Sequence, residues 1–241
     1  MNRRVMRLLG IATLTVLLSA GSALAVPMGP DLQNLFDKIT VGGNSSINVT
    51  TDYLPDQNDS YWAITGSGGA FFRMIFEVAD KKNPGPAFGV YNGSNHVELF
   101  SPKNSPIDRA VLEIYDNGKV YVNFKKTDTV FSSEVFGFYI ETPAGIMHSD
   151  SLLNANLTDH MLAYRGTNID TIKIGTLMPG LWTSNEFILA FEAALGGGNF
   201  NYRDLVLIVD GVTPVVPEPG TLLLLGGGLL GLALFRRRKG I

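Results

Sequence analysis

Between residues 70 and 78 the chain alternates. Phe72, Met74, Phe76 and Val78 fall on one side, Arg73 and Glu77 on the other. A period of two turns one face to a core and the other to water, so the pattern predicts a half-buried strand. Shorter apolar runs follow at 88–91 and 97–100, around an Asn92-Gly93-Ser94-Asn95 turn. Residues 111–115 and 119–124 flank Asp116-Asn117-Gly118. An Asn-Gly pair supplies the positive φ values of a type I′ turn, so 110–124 predicts a hairpin. Further strands are expected at 134–141, 172–176, 187–192 and 205–210, with a turn at 80–86. Residues 31–39 suggest the one short helix. Many short strands with Gly, Asn, Ser, Asp and Thr between them give the fold class: mainly β, an antiparallel β-sandwich of jelly-roll-like kind.

Both ends break this pattern. Arg3, Arg4 and Arg7 precede an apolar stretch at 8–18 and an Ala23-Leu24-Ala25 site, the layout of a secretory signal peptide cut after Ala25. At the other end come Pro217-Glu218-Pro219, an uncharged run at 220–235, and the cluster Arg236, Arg237, Arg238 and Lys239. A helix over that run spans about 24 Å at about 1.5 Å per residue. That is a little short of a hydrocarbon core of about 30 Å, and the terminal Arg and Lys side chains extend the reach by snorkelling. The cations stay cytoplasmic, so everything before the span faces outward. The two prolines fix φ and lack an N–H, which keeps the tripeptide extended and outside any sheet. The chain therefore divides into a signal peptide helix (1–25), an extracellular body (26–214) and a tail with a transmembrane helix (215–241).

The order of the three tail signals resembles the PEP-CTERM sorting signal of Gram-negative bacteria. The resemblance implies export by signal peptidase and the general secretion machinery, then a transient inner-membrane intermediate. It also implies recognition at Pro217-Glu218-Pro219 by an exosortase, with delivery to the cell surface or outside the cell. These residues are features of a substrate, not of a catalyst.

Charge sharpens the picture of the body. Removing the three signal-peptide arginines and the four tail cations leaves 12 basic residues against 22 acidic ones, a net charge of −10 over the stretch from Asp31 to Glu218. Such a surface disfavours nucleic acid as a partner. The chain has no cysteine, which removes disulfides, thiol catalysis and thiolate metal sites.

Candidate chemistry is sparse. There are three histidines, His96, His148 and His160, and no phosphate loop, Gly-x-Ser-x-Gly elbow or His-Glu-x-x-His helix. Ser149-Asp150-Ser151-Leu152 has a faint likeness to a lipase serine block without its leading glycine. Trp62, Trp182 and the tyrosines could line a sugar-binding face or fill a core. Asp56-Gln57-Asn58-Asp59 reads as a solvated turn.

One oxygen-rich stretch closes the body: Glu192, then Gly196 to Gly198, Asn199, Asn201, Tyr202 and Asp204-Leu205-Val206. With Phe191, with Phe88-Gly89-Val90-Tyr91 and Phe136-Gly137-Phe138-Tyr139, and with the 150–162 segment, it resembles a family of bacterial extracellular domains of unknown function. Alternating oxygens in a Gly-rich loop suit calcium, a hard cation needing about 6–8 oxygen ligands. Glu192, Asn199, Asn201 and Asp204 are the candidate ligands. The family's two leading aspartates are Asn199 and Asn201 here, and its Asn is Arg203. The other reading is a tight loop whose side chains bond its own backbone. No other cofactor is expected. The chain as a whole reads as a non-enzymatic, exosortase-sorted protein, structural or adhesive in exopolysaccharide or biofilm. The alternative is a calcium- or carbohydrate-binding module.

Overall fold

The computed structural model describes residues 27, 29–77 and 85–215. The expected signal peptide with Ala23 and Ala25, most of the 80–86 turn, Pro217-Glu218-Pro219, the 220–235 span and the 236–239 cluster lie outside the described residues. Among the described residues no helix is long and apolar enough to cross a membrane.

The helices are α1 (Asp31–Ile39) and α2 (Asp56–Asp59). The early strands are β1 (Trp62–Ile64), β2 (Ala70–Glu77), β3 (Ala87–Asn92), β4 (Asn95–Phe100), β5 (Arg109–Ile114), β6 (Lys119–Val122) and β7 (Lys125–Val130). Then come β8 (Gly137–Thr142), β9 (Gly145–His148), β10 (Met161–Arg165), β11 (Thr171–Ile172), β12 (Gly180–Leu181), β13 (Glu186–Phe191), β14 (Leu205–Asp210) and β15 (Val212–Pro214). The structure is mainly β, and its strand pairs are antiparallel.

A seven-stranded sheet runs β10-β13-β14-β2-β5-β6-β7, and a four-stranded sheet runs β4-β3-β8-β9. Their facing sides share one core, with Phe72, Met74, Leu189, Leu207 and Val209 from the larger sheet and Phe88, Val90, Phe138 and Ile140 from the smaller. The sandwich is therefore present. The jelly-roll part of the expectation is corrected: that fold divides eight strands between two sheets, whereas here the division is seven and four. The meander β5-β6-β7 is what lengthens the larger sheet.

A third layer covers half of the larger sheet's outer face. In α1, Leu32, Leu35, Phe36 and Ile39 fall at one-face helical spacing and are all buried. They join Leu162, Tyr164, Ile188, Ala190, Val206 and Ile208 in a second core. Phe36 meets Tyr164 edge-on at 4.9 Å between ring centroids. With apolar cover on both sides, β13 and β14 lose alternation and read as continuous runs, Phe187-Ile-Leu-Ala-Phe191 and Leu205-Val-Leu-Ile-Val209.

Several details differ from the expectations. A β-bulge in β2 opposite Val206 and Leu207 leaves Ile75 without a cross-strand partner. Ile75 faces the α1 side with the odd positions of the strand, and past the bulge Phe76 joins it there instead of turning to the inter-sheet core. The loop at Asp116-Asn117-Gly118 has three residues, with positive φ only at Gly118, so it is a type I turn with a bulge. The two-residue turn with both φ positive sits one hairpin later, at Asn123-Phe124 between β6 and β7. The strand expected at 134–141 starts at Gly137, because Phe136 instead forms a bridge to Trp62. The one expected at 172–176 shrinks to β11, since Gly175 turns left-handed and Leu177 closes a turn onto Ile174. Asp56–Asp59 is not a solvated turn but α2, with Asp59 fully buried. The Trp62 indole N–H donates to the Asp59 carbonyl at 2.6 Å and draws the segment inward.

Candidate functional site

The closing loop behaves as a self-bonded turn. Glu192 Oε2 accepts from Asn201 N–H at 3.1 Å and Oε1 from Ala194 N–H at 3.3 Å. Asp204 Oδ2 accepts from Ala193 N–H at 2.7 Å. The side-chain oxygens of Asn199 and Asn201 take the backbone N–H groups of Asn201 and Arg203. Burial, reinforced by the adjacent Asp204 carboxyl, pushes Glu192 up to about 7. The structure thus brings Glu192 and Asp204 together and turns both asparagines to the backbone. Arg203 points away, 3.7 Å from Asp31 and 4.5 Å over the Phe76 ring. Among the described residues no group of three or more His, Asp or Glu side chains is placed to hold a metal.

The serine block is built into the wall of the sandwich. Ser149 Oγ donates to the Ser60 carbonyl at 2.7 Å and accepts from Phe138 N–H at 2.9 Å. Ser151 Oγ donates to Asp56 at 2.8 Å, and Asp150 accepts from the Tyr61 hydroxyl at 2.7 Å. Neither hydroxyl is bonded to a histidine. Trp62 and Trp182 are both buried, one in each core, so they line no sugar-binding face.

An exposed aromatic face does exist, made by residues that sequence reasoning passed over. The α1 layer reaches no further than Ile75 and Phe76 at the end of β2, and past them the outer face of the larger sheet is open at Phe71. Cross-strand register sets Glu186, Asp210, Phe71 and Val111 in one transverse row. Asn123 extends that row by accepting from Val111 N–H through its side-chain oxygen at 3.0 Å. The next row holds Ile208, Arg73 and Arg109. Phe124 rises from the type I′ turn at the margin. Phe71 is 48% exposed and Phe124 71% exposed. Together these residues enclose an open groove of about 610 Å³. Exposed aromatic rings flanked by arginines, carboxylates and an amide form an apolar platform with a few placed polar groups, the composition of a ligand site. The sequence signal was present in Phe71, which sits on the polar side of the β2 alternation beside Arg73.

Residues 215–239 match the PEP-CTERM protein-sorting motif. The motif marks an exported protein handled by an exosortase and implies a membrane-anchored intermediate on the way to the cell surface. Comparison with curated proteins and with solved structures finds no match to this chain.

Proposed function

We propose that the body is a non-enzymatic, adhesive protein of the cell surface or exopolysaccharide matrix, holding polysaccharide in the groove of its larger sheet. The observation that carries this reading is the Phe71–Phe124 platform with Arg73, Arg109, Glu186 and Asp210 around it. The apolar face of a sugar ring packs on an aromatic ring while hydroxyls bond to charged and amide groups. The sorting motif supports a destination where such polymers are abundant. The likeness of the body segments to an extracellular domain family belongs to the same reading, with signal peptidase and the secretion machinery acting at Ala25.

Two measurements test it. Purified exopolysaccharide of the producing cell should bind the protein, and Phe71→Ala and Arg109→Ala should each weaken binding about tenfold, the equivalent of about 1.4 kcal/mol at a contact that anchors the ligand. Phe71 is half exposed, so its loss costs the fold only about 1 kcal/mol. Undiminished binding in both variants would remove the groove from the proposal. Separately, mass spectrometry of the protein recovered from the cell surface should find its C-terminus near Pro219, with 220–241 gone. An exported protein still carrying Arg236 to Lys239 would overturn the processing step.

A further inference from the structure

His96 on β4 and His148 on β9 lie on opposite edges of the smaller sheet, with β3 and β8 between them. Their side chains nonetheless meet over the outer face, Nε2 to Nε2, at 3.3 Å. Two glycines and two tyrosines in the intervening strands make this reach workable. The Tyr91 ring lies across Gly137 and the Tyr139 ring across Gly89, close enough that a Cβ at either glycine would strike the ring. Tyr91 stacks beside His96 at 5.9 Å and meets His148 edge-on at 4.8 Å. Tyr139 closes on His96 from another side at 4.8 Å. The imidazoles are thus walled by aromatic rings and only partly open to solvent.

Hydrogen bonding fixes what His96 presents. Its Nδ1 lies 3.2 Å from the Ser94 carbonyl, which can only accept, so Nδ1 carries the proton and Nε2 presents a lone pair. This is the outer-shell arrangement that orients a metal-ligating histidine. On His148 the Asn154 side chain bonds the backbone N–H and carbonyl at 2.8 Å each, and the ring Nδ1 is buried without a partner. The 3.3 Å gap exceeds the usual donor–acceptor distance of about 2.9–3.0 Å. Two nitrogens bound at about 2.0–2.1 Å in a tetrahedral shell stand about 3.3–3.4 Å apart.

The geometry points to a divalent transition-metal site at His96 and His148, one ion held by the two Nε2 atoms with its other positions open to water. Two imidazoles without thiolates suit Zn²⁺, whose tetrahedral shell matches the gap, and Cu²⁺, which binds such nitrogens more tightly but draws them closer, to about 2.8–2.9 Å. The site is on the sheet opposite the polysaccharide groove and shares no residue with it, so either proposal can fail alone.

The test uses the full chain in mild detergent, purified without a polyhistidine tag, and titrated with Cu²⁺ or Zn²⁺ alone. Calorimetry should show one ion per chain, and His96→Gln or His148→Gln should each weaken binding at least about tenfold, the lower end of the loss seen even when only an outer-shell partner is removed. The paramagnetic resonance spectrum of the Cu²⁺-loaded protein should show splitting from two imidazole nitrogens. That spectrum needs no variant, so the test holds even if a substituted chain misfolds. A spectrum without the two-nitrogen pattern, or Cu²⁺ affinity unchanged in both folded variants, would overturn the site.

Discussion

Raising the pH from 6.5 to 8 should destabilise the body by about 4 kcal/mol, and Asp159→Asn should abolish about half of that loss. Asp159 is 3% exposed, and burial pushes its carboxyl up to about 8. Asp59 is fully buried, and burial together with the charges of Asp159 and Asp56 pushes it well above the carboxylate range. Its nearest donors, the backbone N–H groups of Ala163 and of Asp59 itself, do not reach hydrogen-bond geometry. Both groups hold a proton in the native state that the unfolded chain releases near pH 4. Stability from such groups is complete below the unfolded value and is lost as pH rises through the folded one, at about 1.4 kcal/mol per pH unit and group. His148 and His160 act oppositely, because burial lowers both. Their cost, however, is confined to pH below about 6.5, where the unfolded imidazoles charge. Above that value the carboxyls decide the slope. Denaturant unfolding at a series of pH values is the measurement. An unchanged midpoint between pH 6.5 and 8, or a slope unaltered by Asp159→Asn and Asp59→Asn, would mean that these carboxyls ionise without cost.

Phe138→Ala should remove about 4 kcal/mol, within the range for deleting a buried aromatic. Phe138 is fully buried at the centre of the inter-sheet core. Its ring lies 5.5 Å from Trp62, 5.9 Å from Phe72, 5.7 Å from Phe88 and 5.6 Å from Phe136. These neighbours come from both sheets and from β1, so no single side chain can move to fill the void. In a body of this size about 1 kcal/mol lowers Tm by about 2–4 °C, so the fall should be about 8–16 °C. Calorimetry checks it, and a fall under about 3 °C would contradict a rigid core around this ring.

Much of the fold was legible from local pattern. Phe72 and Met74 face the core as their alternation required, and the runs at 187–192 and 205–210 are strands as expected. Three features escaped because they depend on distant partners. The bulge at Ile75 exists only against Val206 and Leu207 of β14. Strand β7, Lys125-Lys-Thr-Asp-Thr-Val130, has no apolar face to read, since it pairs on one side only and stays wet. Asp59 lies in a polar tetrapeptide, and its burial follows from Trp62 and α2 packing beside β10. For the sites, the closing loop was read in both its forms, and the bonds of Asn199, Asn201 and Glu192 to backbone fit the tight turn. The groove was not legible. Phe71, Arg109, Phe124, Glu186 and Asp210 come from five separate stretches of chain, and only sheet register brings them to one face.

The last described strand gives the molecule a mechanical character. Strand β15 ends at Pro214, three residues before Pro217, and Val215 N–H still bonds the Tyr61 carbonyl at 2.8 Å. Thus the folded body runs into the first residue of the sorting motif, Val215. A body joined to a surface through its new C-terminus would take every tug of a moving polymer on the three residue pairs of β15 with β1. Behind them stands Trp62, bonded through its own backbone to Phe136 at 2.7 and 2.9 Å. The short ribbon would peel first under load, a sacrificial link that yields before the longer strand pairs of the two sheets.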